Sequence, residues 1–314
     1  LQMDPSTPRH VAHVPMRWAD MDAYGHVNNA VFLRYLQEAR VEMLFVQAAR
    51  RGAAGLAEGV VVARHEIDYL APLRFRPGAV RVETWLREMQ NSTFTLGYEI
   101  VDADESGEIY ALASTTLVPY DLSVGRPRRL GEEEKAVLER HLQPDGPVPR
   151  AGRGSAGATR DRDRAPGGEE PDGRSGPPRP EGKVHQYECA VRFDDLDSYG
   201  HVNNVTFAEY IQEARIDFVA RHFPGGLAGH AGSVVAGQHI DYLAPVTAGA
   251  RLQVEVWVTR LGESSFDLAY AIRDAERVYA RATSALVAYD LQEARPRPVS
   301  PPERAALEPF HGVQ

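Results

Sequence analysis

The decapeptide DMDAYGHVNN at residues 20–29 returns as DLDSYGHVNN at residues 195–204. The wider windows 17–40 and 192–215 agree at 15 of 24 positions. Downstream, DYLAP at 68–72 recurs at 241–245, Thr93-Phe94 is answered by Ser265-Phe266, and the triplet starting at Tyr120 by that starting at Tyr289. Collinear self-similarity of this extent means that a whole domain is present twice. The chain therefore has to build one architecture two times, a strong restriction on 314 residues.

Residues 144–183 separate the copies and hold 17 Pro or Gly among 40, with Val148 as their one large apolar residue. Such a segment cannot bury enough surface to offset its ordering entropy, and it reads as a disordered linker with a reach of roughly 35 Å. The expected domains are then 10–143 and 184–314. Each ends in a charged stretch, 130–142 and 300–310, read as a surface helix.

Within each copy a first strand (10–18; 184–193) leads into the decapeptide, and a helix follows. Phe32, Tyr35, Leu36, Ala39 and Met43 share one helical face, as do Phe207, Tyr210, Ile211, Ala214 and Phe218. Asn28 or Asn29 can cap the first helix and Gly52 can end it. The period then switches to two: Val80, Val82, Thr84 and Leu86 alternate with Arg81, Glu83, Trp85 and Arg87, and Leu252, Val254, Val256 and Val258 repeat the pattern. Phe94, Leu96, Tyr98 and Ile100 form a further set, matched by Phe266, Leu268, Tyr270 and Ile272. With strands near 60–70 and 109–120, each half is an α+β unit, an antiparallel sheet wrapped round one long helix.

Composition narrows the function classes. A net charge of −9 argues against a nucleic-acid partner held by phosphate neutralisation. No apolar run approaches the length of a membrane span, and residues 1–14 carry no export signal. Cys189 is alone, which excludes an internal disulfide and fits a cytoplasmic setting. HEIDY at 65–69 is not the H-E-x-x-H zinc pattern, and its counterpart QHIDY breaks the arrangement, so no metal is expected. There is no G-x-S-x-G elbow and no Gly-rich phosphate loop.

RWADMDAYGHVNNAVFLRYLQEAR and RFDDLDSYGHVNNVTFAEYIQEAR closely resemble the start of 4-hydroxybenzoyl-CoA thioesterase-like proteins of the hotdog fold. The resemblance extends over roughly residues 10–121 and 184–290. It implies two hotdog domains, each a curved antiparallel sheet around a central helix, docked as an intramolecular pseudo-dimer and open to further homo-oligomerisation. It implies an acyl-CoA thioesterase that needs no cofactor, with the second aspartate of D-x-D, Asp22 or Asp197, as general base or nucleophile.

His26 and His201 stand four positions on, placed to orient the aspartate or a water. Backbone N–H groups at the following helix N-terminus are candidate donors to the carbonyl oxygen. Candidate substrate-binding residues are Tyr24, Asn28, Asn29 and Glu38, with Tyr199, Asn203, Asn204 and Glu213 in the second copy. Asp20 and Asp195 read as structural, capping the turn or pairing with Arg17 and Arg192. Arg74, Arg76 and Arg87 are candidates for CoA phosphates.

The pattern also departs from relatives. Acyl-carrier-protein thioesterases sharing HVNN carry asparagine where this chain has Tyr24 and Tyr199, and GHVNN replaces the aromatic-rich continuation of 4-hydroxybenzoyl-CoA thioesterases themselves. Hotdog hydratases separate Asp and His by four residues; here the separation is three. The alternatives are a non-catalytic acyl-CoA sensor on the same fold and an acyl-carrier-protein thioesterase. Between the copies Arg34 is replaced by Glu209 while Asp, Tyr, Gly, His and Asn of the decapeptide persist, which favours two competent sites.

Overall fold

The computed structural model describes residues 9–103, 107–150, 177, 179–226 and 232–312. The chain divides into two compact units whose described parts are residues 9–150 and 177–312. The first contains β1 (His10–Pro15), α1 (Asn29–Val41), β2 (Val60–Tyr69), β3 (Ala79–Met89), β4 (Phe94–Asp102), β5 (Ile109–Asp121) and α2 (Glu132–Glu139). Its strands pair antiparallel in the order β1-β3-β4-β5-β2. The second repeats the plan with β6 (His185–Ala190), α3 (Asn204–His222), β7 (Ser233–Tyr242), β8 (Arg251–Leu261), β9 (Ser265–Arg273), β10 (Val278–Asp290) and α4 (Pro301–Leu307). Its order is β6-β8-β9-β10-β7, again antiparallel. Each unit is the expected hotdog arrangement.

The apolar stripe explains why the helix sits against the sheet. Phe32, Tyr35, Leu36, Ala39 and Met43 are all buried, as are Phe207, Tyr210, Ile211, Ala214 and Phe218. Of the two possible caps the structure uses Asn28, whose Oδ1 accepts the Ala30 N–H at 2.9 Å; Asn203 does the same for Val205 at 3.0 Å. After Val41 the first helix loosens into a π-turn over Glu42–Gln47 before ending beyond Arg50, where Gly52 takes φ +91°. The second runs as 19 residues of unbroken α-helix.

Strand alternation assigns Trp85 to the polar face of β3, yet it is fully buried. Glycine is the reason. A Cβ on Gly97 would lie 2.5 Å from the indole, and one on Gly146 would lie 2.3 Å from it, so the ring is sandwiched where no side chain intervenes. The Arg9 guanidinium stacks 4.4 Å from the ring centre and pairs with Glu83 at 2.9 Å.

The two tails do more than lie on the surface. Leu138 of α2 is fully buried, and the chain after it joins β3 through Leu86 N–H to His141 O (2.7 Å) and Gln143 N–H to Leu86 O (2.8 Å). In the second unit Leu307 and Phe310 are buried, with Phe310 edge-on to Phe218 at 5.0 Å. Each tail is tied down by an arginine–glutamate pair, Arg128–Glu134 and Arg297–Glu303, both at 2.7 Å. Burial works against the Glu303 carboxylate, but hydrogen bonds from Arg297 and Ser300 prevail and hold it down at about 2.

The ends of the segment read as a disordered linker are packed. Gly146 is buried against Trp85, the Arg150 N–H donates to Asp68, and Arg179 pairs with Glu255 at 3.0 Å. Residues 151–176 and 178, on which most of that expectation falls, lie outside the described residues. Among the described residues no helix is long and apolar enough to cross a membrane.

Candidate active site

The decapeptide folds into a tight turn closed by its own polar groups. Asp22 N–H donates to His26 O (2.8 Å) and Gly25 N–H to Asp22 O (3.1 Å). The Asp22 Oδ1 in turn accepts the backbone N–H groups of Tyr24 (2.8 Å) and His26 (3.2 Å). Asp197 repeats this with Tyr199 (2.9 Å) and His201 (3.3 Å). Both turns need a left-handed residue, and Gly25 and Gly200 supply it at φ +75°.

The first aspartate of each pair anchors this turn to the helix. Asp20 Oδ2 accepts the Arg17 N–H and the Tyr35 hydroxyl, both at 2.7 Å; Asp195 accepts from Arg192 and Tyr210, both at 2.6 Å. Burial and the aspartate beside it push both tyrosine hydroxyls far above the ordinary phenol range. The capping role read for Asp20 and Asp195 thus runs through the arginines' backbone. From the other side, Val27 N–H donates to Leu73 O (2.7 Å) and Val202 N–H to Val246 O (2.8 Å), drawing the loop after the second strand along the turn.

What remains is one carboxylate oxygen per copy. Oδ2 of Asp22 and Oδ2 of Asp197 accept no hydrogen bond from the described residues, and both side chains are half-buried. Each is a carboxylate held in place through one oxygen.

A family description, Thioesterase-like superfamily, matches residues 16–139 and 191–307, most of both units. The chain belongs to the Thioesterase-like superfamily. Among solved structures it is similar to a putative oleoyl thioesterase of Lactobacillus plantarum, with a TM-score of 0.65 and 14% identity over 90% of this chain and 97% of that one. It is also similar to an acyl-ACP thioesterase of Bacteroides thetaiotaomicron, with a TM-score of 0.60 and 15% identity over 90% of this chain and 100% of that one. Identities this low speak for the fold alone. Among curated proteins, an uncharacterized Bacillus subtilis (strain 168) protein, YsmA, is 36% identical over 83 residues. That match takes in 26% of this chain and 56% of YsmA, so the chain spans little more than half the length of this curated relative.

In this thioesterase-like chain the remaining expected residues divide. His26 and His201 are half-buried beside the aspartates, but the group each donates to its aspartate is the backbone N–H, not the ring. Asn28 and Asn203 cap the helices through Oδ1. Asn29 and Asn204 open the helices, their carbonyls accepting the Tyr69 and Tyr242 hydroxyls at 2.9 and 2.8 Å. The helix-end donors are partly used too: the Ala30 N–H goes to the Asn28 side chain and the Val31 N–H to the Asn28 carbonyl at 2.9 Å.

Tyr24 is exposed, whereas the Tyr199 hydroxyl is buried without a partner among the described residues; burial and then Asp197 raise its pKa. Glu38 and Glu213 are exposed on their helices, ten residues past the caps and so roughly 15 Å along the axis from the turns. The structure does not bring them to the aspartates.

Two features escaped the sequence reading. Arg40, which ends the first QEAR, is buried beside fully buried His65, and its Nη1 has no hydrogen-bond partner among the described residues. Burial and Arg40 keep the His65 imidazole neutral, with its Nδ1 2.9 Å from Thr115 Oγ1. Repetition of the arginine as Arg215 was the available signal. The second feature is exposed aromatic surface beside the turns, Trp18 in one copy and Phe193 in the other.

Proposed function

We propose that this chain hydrolyses acyl-CoA thioesters to a free acid and CoA, with Asp22 and Asp197 as its catalytic carboxylates. The observation that carries this is the repeated carboxylate whose Oδ1 is fixed by two backbone N–H groups and whose Oδ2 accepts nothing from the described residues. Fixing one oxygen orients the other before substrate arrives, which lowers the entropic part of the barrier.

Two routes use the same oxygen. As general base, Oδ2 takes a proton from water while that water attacks the thioester carbonyl; the tetrahedral intermediate then expels the thiolate, which is protonated. As nucleophile, Oδ2 attacks the carbonyl itself, expels the thiolate and leaves a mixed anhydride that water cleaves. His26 and His201, which close the turns through their backbones, position water or the thioester with their rings. No cofactor enters either route.

The test is thiol release from short, long and aromatic acyl-CoAs by wild type and by Asp22→Asn/Asp197→Asn. Turnover of some member by wild type, with a loss of at least about a hundredfold in the double variant (about 2.7 kcal/mol), is the expected result. Binding without hydrolysis makes the protein an acyl-CoA sensor. Hydrolysis that survives the double substitution removes the aspartates from the mechanism.

A further inference from the structure

Around the two identical turns the repeat breaks down. Beside Asp22, Trp18 is 74% exposed and meets the Phe75 ring edge-on, with centroids 5.5 Å apart. Phe75 follows Arg74, whose backbone forms a β-bridge with His26. Arg74 and Arg17 are both exposed and their guanidiniums pair with no carboxylate among the described residues, whereas that of Arg76 is engaged with Asp102.

The second turn has a different rim. Phe193, the counterpart of Trp18, is 88% exposed, but it is followed by exposed Asp194. The residue bridged to His201 is Thr247, and the next is Ala248. The first rim thus presents two arginines and two rings in contact, while in the second Arg192 has the acidic Asp194 two residues on and Phe193 meets no other ring among the described residues.

Isolated exposed aromatics are ordinary. A contacting ring pair in which each ring adjoins an exposed arginine in sequence, on a chain whose net charge is −9, is not, because neighbouring residues then supply a stacking face and phosphate donors. We infer that Trp18, Phe75, Arg17 and Arg74 form a binding site for the nucleotide end of a CoA thioester, with the base against Trp18 and the phosphates on the arginines, and that the second rim forms no such site. The flexible pantetheine arm bends to keep the nucleotide beside the turn that receives the carbonyl. The inference rests on reading the Asp22 turn as a thioesterase site. It makes two chemically alike turns unequal in the carrier they grip.

The protein holds its own probe. Of its three tryptophans, Trp85 and Trp257 are 0% and 2% exposed, so Trp18 alone is open to a solution quencher. Adenosine 3′,5′-bisphosphate, CoA and pantetheine are titrated into the full chain while tryptophan emission and its quenching by acrylamide are followed. Both nucleotides should change the emission saturably and shield it from acrylamide, less so at high salt, and pantetheine should not. Arg74→Ala should weaken nucleotide binding about tenfold (about 1.4 kcal/mol), Arg74→Lys should restore part of it, and Thr247→Ala should leave it intact.

In turnover, the ratio of kcat/KM for an acyl-CoA to that for the same acyl-pantetheine should fall about tenfold in Arg74→Ala and Trp18→Ala, through KM. Absence of nucleotide shielding, or shielding that Arg74→Ala and Arg74→Lys leave untouched, overturns the site. Shielding by an acidic carrier protein but not by CoA overturns it in favour of protein docking. If nothing is hydrolysed yet the nucleotide still shields Trp18, the thioesterase reading fails and the binding site stands. Hydrolysis without shielding keeps the thioesterase reading and removes the binding site.

Discussion

The two units carry the same turn in different surroundings. The hydrogen bonds that Asp22 and Asp197 make match pairwise between the copies, within about 0.1 Å. Next to the turns, Arg74-Phe75 of the first unit corresponds to Thr247-Ala248 of the second, and a helix with a π-turn corresponds to an unbroken one. The difference corrects a tempting inference from sequence identity. Gly25 and Gly200 persist because φ is +75°, and Asn28 and Asn203 persist because they cap helices. Their retention is architectural and says nothing about activity. Among the described residues, the Oδ2 of each second aspartate, the histidine rings and the rings of Tyr24 and Tyr199 are left without a folding reason.

Four measurements would break or sharpen this comparison. The largest effect concerns the buried histidine at the start of each first strand. Burial, with smaller contributions from His141 and Arg51, lowers His10 to about 4, whereas at His185 burial is opposed by Asp217, 3.0 Å away. A folded-state pKa below that of the unfolded chain means that unfolding takes up protons between the two values. The His10 contribution is therefore complete above about pH 6.5 and is lost as pH falls toward 4, up to about 3 kcal/mol. Urea unfolding from pH 7 to 4 should show a flatter dependence for His10→Gln than for wild type, and a smaller change for His185→Gln. An unchanged slope in His10→Gln would remove that histidine as the cause.

Next comes the anchor. Tyr35→Phe leaves the buried Asp20 carboxylate without a side-chain donor and should cost about 2 kcal/mol. Asp195 is only half-buried, so water can replace the Tyr210 hydroxyl and Tyr210→Phe should cost less than about 1 kcal/mol. Equal losses in denaturation would show that the two anchors are equally dry.

The turn glycines should not discriminate. Gly25→Ala and Gly200→Ala should each cost about 1–2 kcal/mol by strain alone, since no neighbouring atom meets the added Cβ. A clear inequality in thermal or urea unfolding would mean that the turns differ in a way their matching φ angles conceal.

The smallest effect is also the most direct for function. With acyl-pantetheine, Asp22→Asn and Asp197→Asn should each remove about half the activity, about 0.4 kcal/mol if the sites act independently. With acyl-CoA the loss should be larger for Asp22→Asn, whose rim holds the nucleotide. Near-complete loss from either variant with both substrates would mean that one turn does all the chemistry.

Much of the fold was legible because it rests on local periodicity. The helical stripe from Phe32 to Met43 and the alternating strands at 80–87 and 94–100 were readable residue by residue, and the repeat supplied an internal check. Trp85 was misplaced because its burial depends on Gly97 across the sheet and on Gly146, 61 residues away, and no periodic pattern records a missing Cβ on another segment. The tails were undervalued for the same reason: Leu138 and Phe310 look like ordinary apolar residues on charged stretches until the sheet they pack on is in place.

At the candidate site the division is sharper. Sequence alone determined that two copies of one aspartate- and histidine-bearing turn lead into a helix, because adjacent residues in a glycine turn have few ways to fold. Only the tertiary structure decided which aspartate is the anchor and which has an oxygen to spare, since that depends on Tyr35 and Tyr210 reaching back from about two helical turns past the caps. It alone decided, too, that Arg74 and Phe75 stand at one turn while Thr247 and Ala248 take their place at the other. Hydrogen bonds close to neighbours in sequence are written in the repeat; the company a turn keeps is set by loops that the fold brings in from some 50 residues away.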